Sequence, residues 1–166
     1  MVAEIANGRL HLQPRPAMRH SRATFGMAGR LDEAFRGGPG GPSGWHFAIE
    51  PEFHLGPDVL VPDLAARQRE RMPVFPDTAA CELAPDWVCE ILSPRTRRFD
   101  LTEKRELYRL ASVAHLWLVD PDARTLEAFA LVAAAWTLAA AFQDGDDIRA
   151  APFEALAFPL AALWPD

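Results

Sequence analysis

The chain has 166 residues, 49% apolar and 24% charged, with a formal net charge of −6. That length suits one domain around one core, spanning residues 1–166. The composition is that of a soluble globular protein, and no apolar run reaches the ~18 residues that a membrane span needs. The acidic balance argues against general electrostatic attachment to nucleic acid, which leaves local basic patches to make any such contact.

The chain opens Met1-Val2-Ala3-Glu4, without a basic or long apolar leader, so no secretory signal is expected. Glu4 to Gln13 reads as extended, with a turn at Asn7-Gly8. Ala17 to Phe35 reads as a helix with Met18, Ala23, Met27 and Leu31 near one face. The Gly/Pro-rich stretch from Arg36 to Gly44 reads as a flexible loop. Trp45 to Leu55 has strand character broken at Pro51, and Val59 to Val61 is a short strand ending at Pro62-Asp63. Leu64 to Met72 reads as a polar, arginine-rich segment.

Trp87 to Leu92 is a strongly apolar strand stopped by Ser93-Pro94. Asp100-Leu-Thr-Glu103 has the form of a capping box that starts a helix running to about Ala111. His115 to Val119 is a further strand, Asp120 to Ala123 a turn, and Thr125 to Val132 with Trp136 to Phe142 a hairpin with an Ala-rich connection. Phe158 to Asp166 is expected to pack back through Leu160, Leu163 and Trp164. This order predicts a mixed α/β (α+β) domain on a mixed sheet. Two cysteines, Cys81 and Cys89, are too few for a disulfide framework, so a reduced, cytoplasmic setting is expected.

Three charged residues stand out against their apolar surroundings. In Trp87 to Leu92 side chains alternate faces, and both faces are apolar except at Glu90. A carboxylate there is costly unless paired; a structural salt bridge is one way to satisfy it. Asp63 shares a face with Val59 and Val61 if that strand persists, at a strand end where ligand sites gather. A turn-forming role is the alternative, for Asp63 and for Asp58 of the competing Pro57-Asp58 pair. On the helix, Leu101, Leu107, Tyr108, Leu110 and Ala111 form an apolar stripe with Lys104 near its middle. Lys104 could snorkel to the edge, yet it is the single lysine beside sixteen arginines, which suggests a need for an ammonium group. Two carboxylates and an ammonium compensate one another only if they converge. Such a pair of oxygen ligands suits a hard cation such as magnesium, which activates water and neutralises phosphodiester charge. Two arginine clusters, Arg67/Arg69/Arg71 and Arg95/Arg97/Arg98, are candidate phosphate contacts, with solvated surface loops as the alternative.

Val59-Leu-Val-Pro-Asp63, Trp87-Val-Cys-Glu-Ile-Leu-Ser-Pro94, Asp100 followed by Lys104 and Tyr108, and His115-Leu-Trp-Leu-Val-Asp-Pro121 follow one another in an order that resembles the Uma-two family of restriction endonucleases, a bacterial branch of the PD-(D/E)XK nuclease superfamily. Glu4 to Leu10 is similar to that family's first strand. The resemblance implies a mixed central sheet flanked by helices, and a metal-dependent endonuclease acting on DNA with Mg2+, for which Mn2+ can substitute. It matches Asp63 and Glu90 to the metal-holding acids. The standard motif places a lysine two residues after the second acid, where this chain has Leu92; Lys104, fourteen residues on, is the family-type replacement. Catalytic residues are thus expected at Asp63, Glu90 and Lys104, metal ligands at Asp63 and Glu90, further acids at Glu4 and Glu52, and nucleic-acid contacts at Arg95, Arg97, Arg98 and Arg67. A homodimer would suit double-strand cleavage. A catalytically silent nucleic-acid-binding or protein-interaction module on the same fold, and a domain whose charges form only an ion-pair network, are the competing readings.

Overall fold

The computed structural model describes residues 1–36 and 44–165. The glycine-rich loop read from the sequence falls mostly at 37–43, outside the described residues. No helix among those described is long and apolar enough to cross a membrane.

The strands and helices in chain order are β1 Val2–Ala6, β2 Arg9–Gln13, α1 Met18–Phe35, β3 Trp45–Ile49, β4 Glu52–Leu55, β5 Asp58–Leu60, β6 Leu64–Gln68, β7 Ala80–Cys81, β8 Trp87–Ile91, α2 Arg97–Phe99, α3 Arg105–Leu110, β9 His115–Asp120, β10 Thr125–Val132, β11 Ala135–Gln143, β12 Asp147–Ile148 and β13 Phe158–Pro159. A π-helical turn, Asp100–Lys104, joins α2 to α3, and a 3-10 turn, Leu160–Leu163, follows β13.

A six-stranded sheet in the order β11-β10-β9-β8-β6-β3 forms the centre. It is mixed: β8 runs parallel to β9, and its other pairings are antiparallel. Parallel neighbours need a crossover, and the α2–α3 segment supplies it. A five-stranded sheet, β2-β1-β5-β4-β7, stands beside it. Strand β8 is buried on both faces, as its sequence predicts. Trp87, Cys89 and Ile91 meet Ala23, Met27, Leu31 and Phe35 of α1 together with Leu160, Leu163 and Trp164. On the other face Val88 and Leu92 meet Leu107 and Tyr108 of α3 and Ala6, Phe53 and Leu60 of the smaller sheet.

Four readings of the sequence change. Met18 begins α1 but is 88% exposed, because its turn lies before the face that reaches the sheet. Leu110 also points outward rather than joining the stripe. Leu64 to Gln68 is an internal strand, paired with β3 and β8, with Leu64, Ala65, Ala66 and Arg67 all buried. Asp100 caps nothing: the helix has already begun at Arg97, and the backbone N–H of Asp100 donates to Thr96 O at 3.0 Å. The start is held instead by Ser93, whose Oγ accepts from the Thr96 N–H at 3.3 Å and lies 2.9 Å from the Thr96 hydroxyl.

The β1–β2 and β10–β11 hairpin turns each use two successive left-handed residues. Asn7 and Gly8 (φ 52° and 74°) do so with suitable residues, while Ala133 and Ala134 (φ 48° and 60°) do so without glycine or asparagine. The first turn is tied down by Asp58, whose Oδ1 accepts from the Asn7 N–H at 2.8 Å. Asp58 therefore serves the scaffold.

Candidate active site

Asp63 and Glu90 meet through strand register. Leu64 pairs with Cys89 and Ala65 with Val88, so one more step sets Asp63 opposite Glu90 on the sheet face that carries Val88. The step beyond the ladder is closed by the side chain: Asp63 Oδ2 accepts from the Ile91 N–H at 2.7 Å. Both acids line a cleft of 430 Å³ whose wall also includes Glu4, Asp100 and Lys104.

Lys104 lies at the base of that cleft, 3% exposed. Its Nζ is 2.8 Å from Glu90 Oε1 and 3.0 Å from Glu4 Oε1, and donates to the backbone oxygen of Val61 at 3.0 Å. An ammonium has three N–H donors, and these contacts use all three. Asp100 lies 3.9 Å away, one turn earlier on the helix. The π-helical turn widens the helix by one residue at this point, a device frequent at functional sites, and both of its end residues are buried toward the cleft. The Tyr108 hydroxyl donates to Glu90 Oε1 at 2.6 Å, and the Val61 N–H donates to Glu4 Oε1 at 2.8 Å.

The charges do not balance. Four carboxylates, Glu4, Asp63, Glu90 and Asp100, surround one lysine. Burial disfavours the ammonium, but Glu90, Glu4 and Asp100 outweigh it and hold Lys104 protonated above the ordinary lysine range. The surplus negative charge falls on the acids. Burial pushes Glu90 well up, against the opposing pull of Lys104. Burial likewise lifts Asp100 to about 6, with Lys104 and a hydrogen bond from Thr96 opposing. Tyr108 is held neutral by its burial beside Glu90.

The donor set is hard oxygen with excess negative charge, which fits a divalent cation such as Mg2+. Among the described residues no donor reaches Glu90 Oε2, so that oxygen remains for an ion after Oε1 has served Lys104 and Tyr108. Among the described residues no three His, Cys, Asp or Glu side chains form a ready-made cage. An ion here would be held by the two acids and complete its shell with water or backbone oxygen, which is usual for Mg2+.

Three participants escaped the sequence reading. His20, on the buried face of α1, places Nε2 3.2 Å from both Asp63 oxygens. Burial opposes its protonation, but the hydrogen bond and charge of Asp63 prevail and raise its pKa. Asp100, which the sequence offers as a helix cap and as part of the family-like motif, carries a buried carboxylate on the cleft wall. Glu50, at a left-handed position (φ 48°), lines the cleft and donates its N–H to the Asp63 backbone oxygen at 3.0 Å. Of the two extra acids expected, Glu4 is in the site. Glu52 faces outward, 2.7 Å from His54 Nε2.

The arginines separate. Arg95, Arg97 and Arg98 are exposed at the start of the crossover helix, and Arg95 lines the cleft. Arg97 is paired with Asp120, which leaves it only partly available. Arg67 is not a surface group: it is buried on β6 beneath the segment leading to β7.

The model of the Uma2 family, described as "Putative restriction endonuclease", matches residues 2–161. No curated protein matches the chain. Among solved structures, the crystal structure of a protein from Anabaena variabilis, titled a putative nuclease, aligns with a TM-score of 0.77 at 21% identity, covering 97% of this chain and 88% of that one. At that identity the likeness establishes the fold, a restriction-endonuclease-like core with a mixed sheet flanked by helices. With a family match that runs nearly end to end, the chain belongs to the Uma2 family.

Proposed function

We propose that the chain is a metal-dependent endodeoxyribonuclease whose site is the cleft between α1, β8 and the crossover helix. The observation that carries this reading is the convergence of Asp63, Glu90 and Lys104 from three separate elements, with more negative charge than the chain's own cations neutralise. Asp63 and Glu90 would hold Mg2+, or Mn2+ in its place. The ion would supply an activated water and charge neutralisation at the phosphorus. Hydrolysis forms a bond from water oxygen to phosphorus and breaks one phosphorus–oxygen ester bond, the departing alkoxide taking up a proton.

The chain's own residues prepare this reaction. Lys104 is a poor base, because its proton is held by Glu90, Glu4 and Asp100. It acts as a positioning residue that fixes Glu90 and Glu4, while His20 and the Ile91 N–H orient Asp63. Arg95, which lines the cleft, and the exposed Arg98 three residues on would supply phosphate contacts. A homodimer would present one cleft to each strand. The two unpaired thiols, Cys81 and Cys89, suit a reducing cytoplasm.

The test is purified protein with supercoiled plasmid and Mg2+ or Mn2+. Nicking is expected, lost in Asp63→Ala, Glu90→Ala and Lys104→Ala. Plasmid left intact under every metal and salt condition, or nicking that persists in those variants, overturns the reading. A second reading, a silent nucleic-acid-binding or protein-interaction module, is favoured by one observation: all three Lys104 donors are consumed within the protein. Salt-sensitive DNA binding without metal-dependent cleavage identifies the nucleic-acid form of it.

A further inference from the structure

A second pocket, of 210 Å³, opens on the same face of β6 four residues past Asp63. Four residues of strand span about 13 Å, so it is separate from the acidic cleft. Phe53, Met72, Phe75 and Pro76 make its walls largely apolar, and Arg67 stands among them, 3% exposed. Arg67 Nη1 donates to Met72 Sδ at 3.2 Å and to Cys81 Sγ at 2.9 Å, both weak acceptors. Its Nε and Nη2 have no hydrogen-bond partner among the described residues. The other favourable contact is the Phe53 ring, 5.3 Å from Cζ. The acid at the rim, Glu52, is bound to His54 instead.

A guanidinium taken this far from water is normally matched by an anion. Nε–H and the neighbouring Nη2–H form one edge of the guanidinium fork, and two parallel donors fit the two oxygens of a carboxylate. The surrounding walls are suited to an apolar body and offer no second arginine or lysine for a dianion. We propose that this pocket binds a small carboxylate with an apolar body, its oxygens on the Nε–Nη2 edge of Arg67. Both nitrogens are covered in the structure, so binding requires side chains of the pocket wall to move aside.

This proposal stands independently of the phosphodiesterase reading, and every readout is binding to the full chain without metal. Benzoate is the probe, with benzamide as its neutral analogue and inorganic phosphate at matched ionic strength. Benzoate is expected to bind saturably by ligand-observed NMR and to raise Tm with dose, at least ten-fold more tightly than benzamide or phosphate. Arg67→Met is expected to fold, since it removes an unpaired buried charge, and to lose that binding. Iodoacetamide labelling of Cys81 should slow several-fold under saturating benzoate; Cys89 is fully buried and does not compete. Benzamide binding as well as benzoate, phosphate binding better, binding kept in Arg67→Met, or Cys81 labelling unchanged by benzoate each overturns the assignment. The labelling experiment uses the parent chain, so it decides the matter even if the variant fails to fold.

Discussion

Lys104 ties together the acids of the cleft from a fully buried position. Its ammonium is the common partner of Glu90 and Glu4, so removing it leaves buried carboxylates facing one another. Lys104→Met should lose about 3–5 kcal/mol of stability at neutral pH, the usual cost of breaking a buried pair from one side. Chemical denaturation reads this, and adding Glu90→Gln should recover part of the loss. Asp100 gives a pH signature. Its pKa in the folded protein is about 6, above the ordinary 3.8, so between those values the folded chain binds more protons than the unfolded one. Stability of the metal-free protein should therefore fall as pH rises from about 4 to 6, by on the order of 3 kcal/mol from this group. Asp100→Asn should flatten that slope; an unchanged slope in denaturation midpoints would exclude Asp100 as its source. At this scale the sequence was legible where one residue was anomalous in its neighbourhood: Glu90 in an apolar strand, Lys104 alone among arginines. His20 and Asp100 were hidden because each fits an ordinary local role, a polar residue on an amphipathic helix and a helix cap.

The elements that position these residues depend on turns and on one irregular helix. Most strands are readable from alternation and from turn residues such as Asn7-Gly8. Strand β6 was not, because two alanines and an arginine carry little apolar signal although the strand lies between two others. The π-helical turn was also invisible: propensity marks where a helix forms, and the extra residue follows from tertiary contacts at both ends. The Ala133-Ala134 turn is the clearest misfit between residue and conformation. Each alanine there occupies left-handed backbone, at a cost of about 1–2 kcal/mol. Ala133→Asn with Ala134→Gly should raise stability by about 1 kcal/mol or more and shift the thermal midpoint upward. The contact from Arg109 Nη1 to the Ala134 backbone oxygen, 3.0 Å, needs no side chain at that position and should survive the change.

For the whole molecule, fold and site are linked through charge. Three sequence segments far apart supply acids to one cleft, and the core alone cannot neutralise them. If the cleft takes a divalent cation, Mg2+ at about a hundred times its Kd should stabilise the protein by about 2.7 kcal/mol, visible as a higher Tm. Asp63→Asn should abolish that gain while leaving the metal-free protein folded; a gain retained in the variant would place the ion elsewhere. The acidic net charge is partly a local property of this cleft.

The pairing of Lys104 with Glu4 joins positions a hundred residues apart in the chain. A partly synthesised polypeptide that stops before the crossover helix has Glu4, Asp63 and Glu90 but not the cation that gathers them. Under the nuclease reading proposed above, cleavage would be withheld from fragments and from chains still emerging from the ribosome, and would begin only when both ends of this span have docked.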